Sequence, residues 1–597
     1  MPGVSAMKLC LCPKRGEYHA QQTQVAEKLM EHPEHPSPER LPEHENAAFQ
    51  ALRQALEEQR ALCLKAAPPS PGERREALAR LGAEIKKRRQ DILEALWLDL
   101  GKAPAEAYMS ELGLVFSELR LFCGKLKKWA RPRRCKFSPS LWPARSFVAP
   151  EPFGQALILS PWNYPFQLAM LPFIAALAAG NRVVLAPSGD SPATSALLGE
   201  IVAAALPPRL AYVAIGGVPV AETLLAEPFD FIFYTGSTRV GRLVMEAAAK
   251  RLTPVCLELG GKSPVVVAQD ADLDLAARRI AWGKILNAGQ TCVAPDYLLA
   301  QRGIASALKE KIELEFRCML GENPLASPDY GRIVSRRSFD RLLELAASSI
   351  RPAGPERAAA RLCFGSPGPL GSADLADLPD PVGSAEAASQ TGSKVPEYIA
   401  KAASRQSSGV SGGPTGTPPS EISPAAHLEP AGQSGRDAPA GSVASDSAAL
   451  KIAPSVFYSE PDSPIMREEI FGPLLPLLVY DDIDEALAFI KQRPKPLAAY
   501  IFTDSEEPAA RFAREIAAGG CCVNDVVMQA ASPHLPFGGI GPSGMGRYHG
   551  RAGFELFSNL KGVLRPPALP FLRRLDLPLR YPPYGLGRLR LLRLFMR

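Results

Sequence analysis

Histidine is scarce in this chain of 597 residues: only seven occur, and His19, His32, His35 and His44 lie in the first 45 positions. His427, His534 and His549 remain for the rest, and no local signature links any of them to a cysteine. That works against a thiol hydrolase or acyltransferase with an imidazole base. CxxC pairs are missing too. Eleven cysteines are scattered, and neither Cys10/Cys12 nor Cys521/Cys522 has zinc-ligand spacing or nearby histidine partners, so no metal site is expected. With no secretory signal before them, the thiols read as free in a reducing, cytoplasmic compartment. Long apolar runs are absent: Tyr164 to Gly180 contains Gln167 and Pro172 and falls short of the about 20 residues a bilayer needs, so it reads as a core helix. A net charge of +6 is small for this length, and no diffuse nucleic-acid footprint follows from it, since that needs clustering on one face.

What is present is a soluble globular composition long enough for two or three domains. Residues 1–46 have little apolar periodicity and read as a disordered leader; palmitoylation of Cys10 and Cys12 is the weaker alternative there, since no second membrane signal accompanies them. From Ala47 to about Ala130, Leu52, Leu56, Leu62, Leu78, Leu81 and Ile85 recur at helical spacing. Residues 147–256 then alternate between strands and helices, which predicts right-handed βαβ crossovers and a parallel sheet. The strands are Ala156 to Ser160, Arg182 to Leu185, Tyr212 to Ile215 and Phe231 to Tyr234; Gln167 to Ala179 is a helix.

After the last strand comes Thr235-Gly236-Ser237-Thr238-Arg239-Val240-Gly241, read as a turn before a helix from about Arg242 to Arg251. Such a turn brings backbone N–H groups to a phosphate or simply closes a βα unit; it has neither GxGxxG spacing nor a P-loop lysine. Next are Glu258-Leu259-Gly260-Gly261-Lys262-Ser263-Pro264 and, 34 positions beyond Glu258, Cys292 in Ala288-Gly289-Gln290-Thr291-Cys292-Val293. Upstream stands Ser160-Pro161-Trp162-Asn163-Tyr164-Pro165, and downstream Glu468-Glu469-Ile470-Phe471-Gly472-Pro473. Taken singly, each has a bland explanation. Cys292 is then an inert buried thiol, Asn163 a helix cap, Glu258 a surface carboxylate, and Glu468 with Glu469 a solvated turn.

Together, in this order, the motifs resemble the aldehyde dehydrogenase superfamily. Leu252-Thr253-Pro254, Leu535-Pro536-Phe537-Gly538-Gly539 and Gly544-Met545-Gly546-Arg547-Tyr548-His549-Gly550 resemble its class 3 branch. The resemblance implies an α/β fold: a parallel Rossmann-like cofactor domain, an α/β catalytic domain and a small oligomerisation hairpin. Its parts would be 47–131 with 147–257 for the cofactor, 258–350 with 450–549 for catalysis, and 132–146 with about 550–566 for the hairpin of a homodimer. By the same resemblance, Cys292 attacks an aldehyde to give a thiohemiacetal and then a thioester. Asn163, with the Cys292 N–H, holds the oxyanion, and Glu258 activates the hydrolytic water. The cofactor is NAD or NADP. Gly236, Ser237, Thr238, Arg239, Val240 and Gly241 face its pyrophosphate, Glu469 and Phe471 place the nicotinamide end, and Trp162, Leu259 and Gly260 complete the set. The substrate is a medium- or long-chain or aromatic aldehyde, since no motif marks a polar substrate group.

Two departures stand out. Where the family reads Val-Val-Leu-Lys-Pro-Ser-Glu, this chain has Val183-Val184-Leu185-Ala186-Pro187-Ser188-Gly189, so the Lys and Glu of the adenosine ribose site are gone. Weaker dinucleotide binding and a blurred NAD/NADP preference follow, as does the alternative of an impaired or non-catalytic protein on the same fold. Residues 351–449 form a Ser/Gly/Pro/Ala-rich insertion whose only aromatics are Phe364 and Tyr398, a composition that predicts disorder. The tail, 567–597, interleaves arginine with leucine; from Arg565 to Arg597 there are eight arginines against one acid, Asp576. It is expected on an anionic membrane surface or docked on its own dimer, without a CaaX box.

Overall fold

The computed structural model describes residues 43–136, 141, 143–350, 443–567, 581–582 and 585–595. Most of the leader and of the 351–449 insertion, and much of the tail, lie outside the described residues.

Two six-stranded sheets organise the body. In the first, the order is β16 (Gly544–Met545), β7 (Val255–Glu258), β6 (Phe231–Thr235), β3 (Gln155–Leu159), β4 (Arg182–Ala186) and β5 (Ala211–Val213). All pairs are parallel except β16 against β7. The strands β3, β6 and all but the first residue of β4 are buried, as a parallel sheet covered by helices on both faces requires. One covering helix, Gln167–Ala179, is buried at every position and ends at Gly180 in the left-handed conformation. Arg74, from the capped helix Pro71–Lys87, donates to the carbonyls of Ala178 and Ala179, which the helix itself leaves unpaired. Because β4 and β5 lie on one side of β3 and β6 and β7 on the other, the order reverses at β3. The crevice beyond the strand ends there is where open α/β sheets bind ligands.

Only Leu259–Ser263 separates β7 from β8 (Pro264–Val267), the first strand of the second sheet. That sheet is wholly parallel, in the order β12 (Ser455–Tyr458), β13 (Leu474–Tyr480), β9 (Tyr297–Gln301), β8, β14 (Ala498–Phe502) and β15 (Gly520–Val523). The C-terminal edge of the first sheet thus opens where the second sheet begins. A third, antiparallel sheet joins β1 (Arg133–Arg134), β2 (Arg145–Pro152) and β17 (Ser558–Arg565).

Three expectations need correction. The helix after β6 begins at Thr238 rather than near Arg242, because Ser237 caps it by accepting from the Val240 N–H. Residues 550–556 are helical (Gly550–Leu556), so β17 starts only at Ser558. The end of the insertion is ordered: Val443 packs on a second hydrophobic core, which includes Leu342, Ile452 and Leu474, and β10 (Ser445–Asp446) pairs with β11 (Lys451–Ile452) in a hairpin.

Candidate active site

Cys292 lies in the connection between the helix Leu273–Ile285 and β9, near enough to Glu258 at the end of β7 to feel its charge. Its approach is an unusual stretch of backbone. Asn287, Ala288 and Gly289 adopt φ of 52°, 53° and 74° in succession, which non-glycine residues sustain only when their surroundings hold them there. Gly289 cannot be replaced without collision, since a Cβ there would meet the Gly472 carbonyl at 2.2 Å. The restraints are buried hydrogen bonds. The Asn287 N–H donates to Glu106 at 2.8 Å, and its amide donates to the carbonyls of Asn163 at 2.7 Å and Gln290 at 3.1 Å. Gln290 donates to the carbonyls of Asn287 and Arg332 and accepts from the Val334 N–H. On the far side, Tyr500 donates to the Val293 carbonyl at 2.6 Å, and Tyr164 pairs with Thr291 at 2.5 Å.

Asn163 is 3% exposed and is no helix cap, since the next helix begins at Gln167 with no side-chain cap. Its Nδ2 donates to the Gln290 carbonyl at 3.0 Å, two residues from Cys292. An amide nitrogen has two protons, so this bond leaves the second available. Glu258, 2% exposed, closes β7; Cys256 Sγ lies 3.8 Å from its Oε1, while Oε2 has no partner in the chain. Burial pushes this carboxyl well above the ordinary carboxylate range, against the pull of Arg547.

The thiol is not in the electropositive setting expected of a nucleophile. Although Cys292 keeps partial exposure, burial raises its pKa first, followed by Glu469 and Glu258; the N–H groups of Cys292 and Val293 oppose the shift. Burial and the two carboxyls thus favour the thiol over the thiolate, with backbone donors opposing them. It opens on a cavity of about 130 Å³ walled by Met109, Leu114, Leu168, Trp282, Leu286 and Phe537. Tyr548 and His549 also line it, so one histidine does share the cavity with Cys292. Burial drops that imidazole to about 4, however, and its Nε2 has no partner, whereas His534 lies outside the lining.

The remaining motif residues gather beside this site. Glu469 rests on Gly260, where a Cβ would come within 2.0 Å of its Oε2, so glycine permits the approach. Burial, then Asp296, pushes the Glu469 carboxyl up to about 8. Glu468 turns outward instead and accepts from Arg341 at 2.9 Å. Phe471, at φ 51°, meets Trp162 edge-on at 5.5 Å. Lys262 binds these pieces together: it pairs with Asp296 and donates to the carbonyls of Ile465 and Glu468, both at 2.8 Å. Gly236 donates to the Glu258 carbonyl, Ser237 caps, Thr238 donates to the Pro542 carbonyl, and Arg239, Val240 and the buried Gly241 follow in the first helical turn. Leu259 is in the core beneath them. Ser160 Oγ beyond β3 and Thr235 Oγ1 at the end of β6 are buried without partners, at the reversal point of the sheet. Orphan hydroxyls and a helix N-terminus in that crevice fit a phosphate- and ribose-bearing ligand. Among the described residues no cluster suited to a metal occurs.

The sequence matches the family described as Aldehyde dehydrogenase family over residues 39–354 and 401–563. The chain belongs to the aldehyde dehydrogenase family. It is 39% identical over 505 residues to aldehyde dehydrogenase family 3 member H1 of Arabidopsis thaliana, covering 84% of this chain and 86% of that one. It is 35% identical over 525 residues to 4,4'-diaponeurosporen-aldehyde dehydrogenase of Staphylococcus aureus, covering 88% and 94%. The solved substrate-bound AldH of Staphylococcus aureus superposes with a TM-score of 0.73 at 33% identity, covering 92% of this chain and 99% of that one. These relatives place it in the family 3 branch of aldehyde dehydrogenases, as an NAD(P)-dependent oxidoreductase that converts aldehydes to carboxylic acids. No helix among the described residues is long and apolar enough to cross a membrane.

Sequence reasoning missed Trp282, Tyr548 and His549 as cavity walls and the anchoring role of Lys262. Lys262 and the Tyr548-His549 pair stood inside recognised motifs, but only folding gives them their neighbours. Trp282 had no signal, being one aromatic in an ordinary helix.

Proposed function

We propose that this aldehyde dehydrogenase oxidises medium- or long-chain or aromatic aldehydes, with Cys292 as nucleophile, Glu258 as base, and Asn163 with the Cys292 N–H as oxyanion donors. One observation carries the reading: Cys292 opens on a cavity whose walls are mostly apolar, built from Met, Leu, Val, Ala, Trp and Phe side chains. Such walls reward an apolar chain or ring and give a charged substrate no partner. The Staphylococcus relative, named for a diaponeurosporen aldehyde, points the same way.

The chemistry follows from the side chains. Glu258 takes the thiol proton and later releases it to solvent, the N–H groups of Cys292 and Val293 favour the thiolate so formed, and sulfur attacks the carbonyl carbon. The free Nδ2 proton of Asn163 meets the oxygen as it gains charge, a contact that contributes about 3 kcal/mol. The dinucleotide, when bound, supplies the acceptor for the aldehyde hydride, and a thioester remains on Cys292. Glu258, through its unpaired Oε2, takes a proton from the water that cleaves it. The helix N-terminus at Ser237 to Gly241, with Leu259, Gly260, Trp162, Glu469 and Phe471, holds the dinucleotide.

The exposed edge strand β17, with Leu560 and Leu564 outward, supports a homodimer. The helix Leu586–Phe595, with Leu586 exposed, supports contact with an anionic membrane. Liposome co-sedimentation unchanged by deleting residues 585–597 would count against that contact. The activity itself is tested by aldehyde-dependent formation of reduced nicotinamide across a chain-length series, beside a Cys292→Ser control. A kcat/KM that falls as the aldehyde lengthens would overturn the substrate class.

A further inference from the structure

A second polar cluster lies beneath the site and is used by none of the steps above. Lys102 is wholly buried, and so is Glu111; their side chains pair at 2.5 Å. An ammonium has three protons, and each finds a partner here. One goes to Glu111, one to the Asn163 carbonyl at 2.9 Å, and the third side of Nζ faces the Tyr164 ring at 3.9 Å. The other oxygen of Glu111 accepts from the N–H groups of Phe166 and Gln167 at 2.9 and 3.1 Å, so the pair grips Asn163 to Gln167 along their length. Glu111 sits in a π-helical turn, Tyr108–Leu112, a geometry proteins retain mostly where function needs it. One turn earlier, Glu106 accepts from the Asn287 N–H at the head of the left-handed stretch before Cys292. Asn287 in turn donates to the same Asn163 carbonyl that Lys102 binds.

We propose that Lys102 is a positioning residue: with Glu111 it fixes the Asn163 carbonyl, and through that backbone it aims the Asn163 amide at the aldehyde oxygen above Cys292. The inference rests on the reading of Asn163 as an oxyanion donor. The geometry behind it is the convergence of Lys102 and Asn287 on one carbonyl, which locks the donor segment to the nucleophile loop. Without that lock Asn163 swings with its backbone, and small displacements at a reacting centre are costly in rate. Met109 and Ser110, in the same π-helical turn, also wall the cavity, so an aldehyde chain packed on them bears on the element that holds Lys102's partner.

The test is a double-mutant cycle in kcat for aldehyde oxidation by the full chain, using Lys102→Met, Asn163→Ala and both together. Lys102→Met is expected to lower kcat about 10- to 100-fold. It should leave dinucleotide affinity and the rate of Cys292 alkylation by iodoacetamide within twofold. In the Asn163→Ala background the same substitution should cost less than twofold, because the group it positions is gone. Should Lys102→Met fail to fold, Lys102→Met/Glu111→Gln removes both charges and keeps an acceptor for Phe166 and Gln167, and takes its place in the cycle. A full, additive loss on the Asn163→Ala background overturns the positioning role while leaving Asn163 as oxyanion donor. An Asn163→Ala enzyme with unchanged kcat overturns the oxyanion reading itself, and the inference with it.

Discussion

The two sides of the cleft are built differently. Around Cys292, a left-handed stretch is held at Asn287, which donates to Glu106 and the Asn163 carbonyl and accepts from Gln290, while Tyr500 fixes the Val293 carbonyl beyond it. At the end of β4, Ala186 and Gly189 offer no polar side chain, and Gly189 is exposed beside Gly217. The Cys292 side is over-determined and the side of Ala186 and Gly189 is bare. A reacting atom must be placed to a fraction of an ångström, so strain there is sustained by many bonds. A ribose is held by contacts that add affinity and do not enter the chemistry, so their loss is tolerated.

Four measurements break or sharpen this contrast. The largest effect is expected from Cys292→Ser, which should lower aldehyde oxidation at least about 10³-fold. Oxidation persisting near the wild-type rate would remove Cys292 from the mechanism. Asn163→Ala should lower kcat about 100-fold with KM nearly unchanged, since its contact strengthens only as the oxygen gains charge. A rise in KM alone would make it a binding residue.

The third concerns Glu469, whose carboxyl is raised from 4.5 to about 8. A raised folded-state pKa means the folded protein holds the proton more tightly than the unfolded chain does. The stability this contributes is present below about 4.5 and lost as pH rises through about 8. The Tm of the wild type relative to Glu469→Gln should therefore fall across that window, and a difference independent of pH would show that Glu469 is ordinarily ionised.

The smallest effect belongs to the bare side. Ala186→Lys with Gly189→Glu should tighten dinucleotide binding about tenfold or less, on the scale of one or two charged hydrogen bonds. A Cβ at 189 meets only the Gly217 Cα, at 3.4 Å, so Gly189→Glu has room. Equal dissociation constants for the double variant and the wild type would sink the idea that these positions weaken binding.

Much of the fold was legible because its signals are local. The helix Gln167–Ala179 and the strands β3, β4 and β6 declare themselves by apolar runs of the right length between turn residues. The start of the helix after β6 was misjudged because a serine cap was read as part of a glycine turn. Order at Val443 was hidden because its anchor, the second core, is contributed by residues far away in sequence.

By itself, the sequence determined the candidates and their order along the chain: Asn163, Glu258 and Cys292, each inside a short motif, the motifs together resembling one family. Tertiary structure alone decided their state. Closing apolar walls around Cys292 and Glu258 withdrew water and raised both pKa values. It also brought Lys102 and Asn287, 185 positions apart, onto one carbonyl. Burial and convergence are properties of many segments at once, and no window of sequence contains them.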